Sequence, residues 1–213
     1  MTRVLILAGV GEALAIEQAL DAAGVKLVVD PAQAEAVLDA GHPFDHVVSA
    51  KVQQESAALG VAYARFLRPE WPRLAGDNWV DLGSEAEAAE HVERGSVVFV
   101  ATGREGLEAY ANLPGCEVIA RQIGEASGDF PFDGGRYLVG HPPFTVEGEV
   151  ALFKELGIDW LILRNAGGEG AKAKLDAARE LGLKVGMIRR PEPPGGLVFD
   201  SVEAVVNWAK SLI

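Results

Sequence analysis

Short apolar runs alternate along this chain with longer stretches of helical spacing, and glycines mark the junctions. Val4 to Ala8 is a continuous apolar run ending at Gly9 and Gly11. Glu12 to Ala23 then places Leu14, Ala15, Ala19 and Leu20 at helical spacing and closes at Gly24. The pattern continues with strands expected at Val25–Val29, His46–Val48 and Val61–Phe66, a short helix at Ala32–Leu38 after Pro31, and a helix at Ala50–Leu59 stopped by Gly60. Parallel strands need crossover connections, so this alternation predicts an α/β protein built on mainly parallel sheets with helices on both faces.

Leu67 to Gly76 has Pro69 and Pro72 but no periodicity, which makes it the expected linker between an N-terminal domain (1–74) and a C-terminal domain (75–213), both Rossmann-like. Beyond it, helices are expected at Ser84–Val92, Glu105–Asn112, Val146–Leu156, Lys172–Leu181 and Val202–Leu212. Strands are expected at Val97–Ala101, Glu117–Arg121, Trp160–Leu163 and Lys184–Ile188. Gly124 to Phe144 reads as irregular, being rich in glycine and proline.

A formal charge of −12 argues against nucleic acid, whose phosphates such a field repels. An anionic small ligand then needs a local cluster of cations and helix N-termini. Gly9 and Gly11 interrupt the first apolar run too early for a signal peptide, and no apolar run approaches the roughly eighteen residues of a membrane span. The lone Cys116 has no internal disulfide partner, which fits a reducing compartment, and a cytoplasmic location is expected.

In open parallel sheets, ligands bind beyond the carboxyl ends of the strands. Four such ends carry suitable chemistry. Gly9-Val10-Gly11-Glu12 gives a phosphate close access to backbone amides, although Leu14 stands where the dinucleotide fingerprint has its third glycine and a tight turn is the alternative. Asp30, ending the next strand, suits a ribose hydroxyl or a helix cap. Thr102-Gly103-Arg104 puts a hydroxyl, a flexible glycine and a guanidinium at a helix start. Arg164-Asn165-Ala166-Gly167-Gly168 is a glycine-rich turn followed by Lys172 and Lys174, and Arg189-Arg190 follow the last strand of the second half. His42 and His141, each beside Pro and Phe, offer an imidazole for proton transfer or for packing. Pro43 resists a helical His42/His46 metal pair, so no metal site is expected. Triphosphate-loop, nucleophile-elbow and short-chain dehydrogenase motifs do not occur.

Taken in order, these strand-end motifs resemble the precorrin-6A reductase family over nearly the whole chain. Leu7-Ala8-Gly9-Val10-Gly11-Glu12-Ala13 is similar to its Leu-Gly-Gly-Thr-x-Glu-Ala, Asp39-Ala40-Gly41-His42-Pro43-Phe44 to its Asp-Ala-Thr-His-Pro-Phe, and Arg68-Pro69-Glu70-Trp71 to its Arg-Pro-x-Trp. Thr102-Gly103-Arg104-Glu105, Pro143-Phe144 with Glu147 and Glu149, Asn165-Ala166-Gly167-Gly168 followed by Lys174-Leu175-Asp176-Ala177-Ala178, and Arg190-Pro191 resemble its later motifs. The chain departs from the pattern in a compact 29–39 region, where the family has a longer segment, and in carrying Val10, Gly41 and Arg164 where the family has Thr, Thr and Lys.

The resemblance implies an enzyme of cobalamin biosynthesis with an active site between two Rossmann-like domains. It implies NADPH as hydride donor, with NADH the alternative, and a tetrapyrrole bearing many carboxylates as acceptor. Gly9, Val10, Gly11 and Glu12, with Thr102, Gly103 and Arg104, are then expected to hold the cofactor. Arg68, Arg164, Asn165, Gly167, Gly168, Lys174 and Arg190 are expected to hold the substrate, and His42 to give the proton. The competing readings are another nicotinamide-dependent reductase with a smaller anionic substrate and a non-catalytic two-lobed module that closes on a carboxylated ligand.

Overall fold

The structure, a computed structural model, describes residues 2–124 and 128–212. Contacts divide the chain into two units, Met1–Glu70 with Arg190–Ile213, and Trp71–Arg189. Each is a parallel α/β sheet domain, as the sequence pattern predicts.

The first unit contains β1 (Arg3–Ala8), α1 (Ala13–Ala22), β2 (Lys26–Val28), β3 (Ala36–Ala40), α2 (His46–Leu59) and β4 (Ala62–Phe66). The second contains β5 (Asn78–Leu82), β6 (Val97–Ala101), β7 (Glu117–Ile123), β8 (Gly135–Gly140), α3 (Val146–Leu156), β9 (Trp160–Arg164), α4 (Lys172–Leu181) and β10 (Lys184–Ile188). The chain then returns to the first unit with β11 (Leu197–Phe199) and α5 (Val202–Ser211).

That return changes the expected domain limits of 74 and 213. The chain crosses after Glu70 and comes back at Arg190, because β11 pairs in parallel with β4 and α5 packs on α1. Val205, Trp208 and Ala209 of α5 join Val4, Ile16, Leu20, Leu38 and Phe66 in one buried cluster, so the first core includes residues from both ends of the sequence. Apolar side chains placed there leave water, which is the main favourable term in holding α5 in place.

The first sheet has the order β2-β1-β3-β4-β11, all parallel. From β1 the chain steps outward to β2, then turns back across to β3 and on to β4. The direction therefore reverses between neighbours β1 and β3, the switch point of a doubly wound fold.

The second sheet has the order β5-β10-β9-β6-β7-β8, also all parallel. From β6 the chain proceeds to β7 and β8, and from β9 it proceeds the other way to β10, so its switch point lies between β6 and β9. Helices α3 and α4 pack together over one face of this sheet, with Phe99, Leu161, Leu163 and Met187 beneath them.

Several elements differ from the sequence reading. Residues 36–38, expected as the end of a helix, belong to the strand Ala36–Ala40, which is buried at every position, and only Pro31–Gln33 forms a short 3-10 turn. There Asp30 caps the turn by accepting from the Ala32 amide at 3.0 Å, the capping alternative for that residue. His46–Val48, expected as a strand, is the first turn of α2, with Val47 and Val48 facing solvent. The helices expected at 84–92 and 105–112 are 3-10 segments, Glu85–Glu90 and Leu107–Asn112. Of the irregular stretch 124–144, residues 135–140 form edge strand β8, and 125–127 lie outside the described residues.

Candidate functional site

At the switch point of the first unit, the loops that follow β1 and β3 lie against each other. The Val10 amide donates to the Ala40 carbonyl at 3.1 Å, and a Cβ on Gly9 would stand 3.0 Å from both Gly41 Cα and the His42 nitrogen. Nothing lies within 4 Å of where a Cβ on Gly11 would be, so this backbone is open to a ligand ahead of α1. The Glu12 carboxylate sits at the same helix end and is paired with Arg68 at 3.1 Å, which offsets a charge that would otherwise repel a phosphate.

The second loop is set by a buried ion pair. Asp39 Oδ2 accepts from Arg65 at 2.8 Å and from the Tyr63 hydroxyl at 3.0 Å, while Oδ1 accepts from the Gly41 amide at 2.9 Å. Arg65, 1% exposed, donates its second terminal nitrogen to the His42 carbonyl at 3.0 Å. Burial, with the Asp39 charge, raises the Tyr63 phenol pKa above its ordinary value, so the phenol remains a donor. The Phe44 amide donates to His42 Nδ1 at 3.3 Å, an arrangement that places the proton of the neutral ring on Nε2.

Arg190 also lies in this unit. It donates to the carbonyls of Arg68 (2.7 Å) and Pro69 (3.4 Å) and reaches Glu70 at 3.6 Å. Burial, with Arg68 and Arg65 nearby, lowers its pKa, and Glu70 opposes that shift. Arg190 thereby ties the outgoing Arg68–Glu70 segment to the returning one.

In the second unit, the switch-point loops are Thr102–Arg104 after β6 and Asn165–Gly168 after β9. Thr102 is buried and accepts from Tyr110, while Gly103 has φ +83°, a left-handed conformation suited to glycine. Arg104 donates to Gln122 Oε1 at 3.2 Å and lies 5.0 Å over the Tyr137 ring. Arg164 pairs with Glu85 at 2.8 Å. Asn165 accepts from the Trp71 amide at 3.0 Å and donates to its carbonyl at 3.4 Å, and the Trp71 indole donates to the Gly168 carbonyl at 2.8 Å. Gly167 and Gly168 both have positive φ, 65° and 76°. The glycine-rich turn is thus braced by the segment that enters this unit.

A cavity of about 400 Å³ opens beside these loops, lined by Ala101, Gly103, Arg104, Gln122, Gly170 and Lys174 among others. It unites Arg104, expected at the cofactor, with Lys174, expected at the substrate. Sequence reasoning missed Arg121, which also lines it. That guanidinium is held by Glu149 through two bonds of 2.7 and 3.0 Å, with both side chains buried, and Phe144 stacks on it at 4.5 Å. A charge inside an otherwise apolar strand was the available signal for both Arg121 and Arg65, since a buried charge requires a partner.

Two doubly wound parallel sheets, each with glycine loops converging at its switch point, define a two-domain Rossmann-like protein with strand ends suited to anionic ligands. Residues 28–210 match the family described as precorrin-6x reductase CbiJ/CobK, and the chain belongs to that family. It is 33% identical to a precorrin-6A reductase of Rhodococcus erythropolis, an alignment covering all of this chain and 99% of that protein. It is 37% identical to one of Mycobacterium tuberculosis across 84% of this chain and 72% of that protein. A solved structure titled CobK precorrin-6A reductase superposes with a TM-score of 0.89 at 30% identity, covering 99% of this chain and 97% of the other. Among the described residues no helix is long and apolar enough to cross a membrane.

Proposed function

We propose that the protein reduces one double bond of precorrin-6A to give precorrin-6B, a step of cobalamin biosynthesis, with NADPH as the reductant. Membership of the family, end to end with a precorrin-6A reductase, carries the reductase reading. NADPH over NADH, and a cobalt-free macrocycle, are the finer part. The relatives at 33–37% identity support the latter, being named for precorrin-6A, whereas those named for cobalt-precorrin-6A are 26–28% identical.

The residues present fit a dinucleotide. The open backbone at Gly11 and Gly103 and the start of α1 suit phosphate contact, so Gly9, Val10, Gly11 and Glu12, with Thr102, Gly103 and Arg104, would hold the cofactor. When bound, the reduced nicotinamide supplies a hydride to the macrocycle.

The chain's own work is to bind, align and donate a proton. Arg68, Arg164, Lys174 and Arg190 would pair with macrocycle carboxylates, and Asn165, Gly167 and Gly168 would shape the loop against it. Arg68, Arg164 and Arg190 already have internal partners, so each would have to share its donors with a ligand. His42 would first take a solvent proton at Nδ1 in place of the Phe44 amide contact, and as an imidazolium would give its Nε2 proton to the carbon next to the one reduced, with its loop fixed by Arg65 and Asp39.

The test is to run the reaction with NADPH deuterated at the transferable position and weigh the product. A macrocycle heavier by one deuterium and one proton supports the reading. Product that gains two solvent hydrogens and no deuterium contradicts it.

A further inference from the structure

Lys174 is 6% exposed, yet no carboxylate or carbonyl among the described residues accepts a hydrogen bond from its ammonium. The ammonium lies over the face of Phe144, 5.2 Å from the ring centroid. The nearby Glu149 accepts its two bonds from Arg121, and it acts on Lys174 through its charge and not through a hydrogen bond. Burial lowers the Lys174 pKa, Arg121 lowers it further, and Glu149 opposes the shift. Within the buried trio of Arg121, Glu149 and Lys174 one positive charge is left over. A buried charge persists at a cost unless something of opposite sign reaches it, and an aromatic face replaces only part of the lost hydration.

Lys174 lines the cavity that Arg104 also lines, at the switch point between β6 and β9. Two glycines on that wall, Gly103 and Gly170, have open space where a Cβ would stand, which leaves backbone accessible. We propose that this cavity binds a single oxyanion group, a phosphate or a carboxylate, and that Lys174 and Arg104 serve that same group. The two residues therefore share one ligand, and of their separate assignments, Arg104 to the cofactor and Lys174 to the macrocycle, one gives way. Arg121 is a positioning residue: locked to Glu149, it holds Phe144 beneath the Lys174 ammonium. The site follows from the unbalanced charge. Assigning its oxyanion to a cofactor phosphate or a macrocycle carboxylate rests on the reductase reading.

Calorimetric titration of the wild-type protein and Lys174→Met with pyrophosphate, NADPH and precorrin-6A separates the sources. Methionine keeps the side-chain volume and removes the charge. A lost charge-assisted hydrogen bond weakens binding about 10- to 100-fold. A loss of that size for NADPH with the macrocycle unaffected supports the site and names a cofactor phosphate. The reverse supports it and names a substrate carboxylate. Unchanged affinity for all three probes in a folded variant overturns the proposal. Should the variant fail to fold, wild-type protein labelled with 13C at the lysine ε-carbon decides. The Lys174 methylene resonance, assigned in the intact protein, must move on adding at least one probe, and a resonance indifferent to all three overturns the site. Pyrophosphate binding that depends on Lys174 in a protein that never oxidises NADPH with precorrin-6A would sink the reductase reading and leave the oxyanion site standing.

Discussion

Gly9 and Gly41 approach so closely that a Cβ on Gly9 would lie 3.0 Å from Gly41 Cα, backbone against backbone. This contact joins the two loops of the first switch point. An added methyl cannot be absorbed by a rotating side chain, so it must move one loop. Gly9→Ala is expected to lower stability by about 1–3 kcal/mol, the usual cost of overpacking, and to reduce turnover by displacing His42. Urea denaturation and steady-state kinetics check both, and an unchanged midpoint with full activity would show that the loops tolerate separation.

The Asp39–Arg65 pair holds the same loop from below, with side chains 4% and 1% exposed. Asp39→Asn leaves the guanidinium buried beside a neutral amide, and a loss of about 3–5 kcal/mol in unfolding free energy is expected. Adding Arg65→Met should recover part of that loss, since the orphaned charge is gone. A double variant no more stable than Asp39→Asn would show that the charge is not the source of the cost.

Trp71→Phe removes the donor to the Gly168 carbonyl and keeps most of the apolar area. About 1 kcal/mol of stability should be lost. Ligand affinity should fall as well, because the glycine turn loses its brace. Thermal denaturation with and without ligand separates the two effects, and an equal shift under both conditions would assign Trp71 to stability alone.

Lys174 gives a pH dependence whose sign is opposite to that of a favourable ion pair. Its pKa in the folded protein lies below the ordinary value of 10.5, mainly through burial, so the unfolded chain binds the proton more tightly. Stability therefore rises as pH increases from the folded pKa toward 10.5, and the penalty is fully present below the folded pKa. Lys174→Met should be more stable than the wild type near neutrality, with the gap closing as pH rises through that window. Denaturation series across pH check this; a gap that does not vary with pH contradicts it.

Much of this architecture is legible in the sequence. α3 is clear because Thr145 caps it, accepting from the Gly148 amide at 3.1 Å, and Gly157 ends it in a left-handed conformation. α4 and β10 have similarly sharp limits around Gly182. Ala36–Ala40 misleads because a strand buried on both faces shows no period-two alternation. His46–Val48 misleads because its β-branched pair faces solvent on a helix. The pairing of β11 with β4 is not legible at all, because it joins positions over a hundred residues apart and depends on tertiary packing.

The site was legible as a set of strand ends and illegible as a geometry. Sequence distance hides that Arg104 and Lys174 line one cavity. Arg164 reads in the sequence as a cation open to a ligand, whereas Glu85, far upstream, pairs with it.

The most direct measurement mixes the purified protein anaerobically with precorrin-6A and either NADPH or NADH, following nicotinamide absorbance and the macrocycle spectrum together. One cofactor oxidised per macrocycle converted is the expected result, faster with NADPH. No oxidation with either nucleotide, in protein shown to be folded, would contradict it.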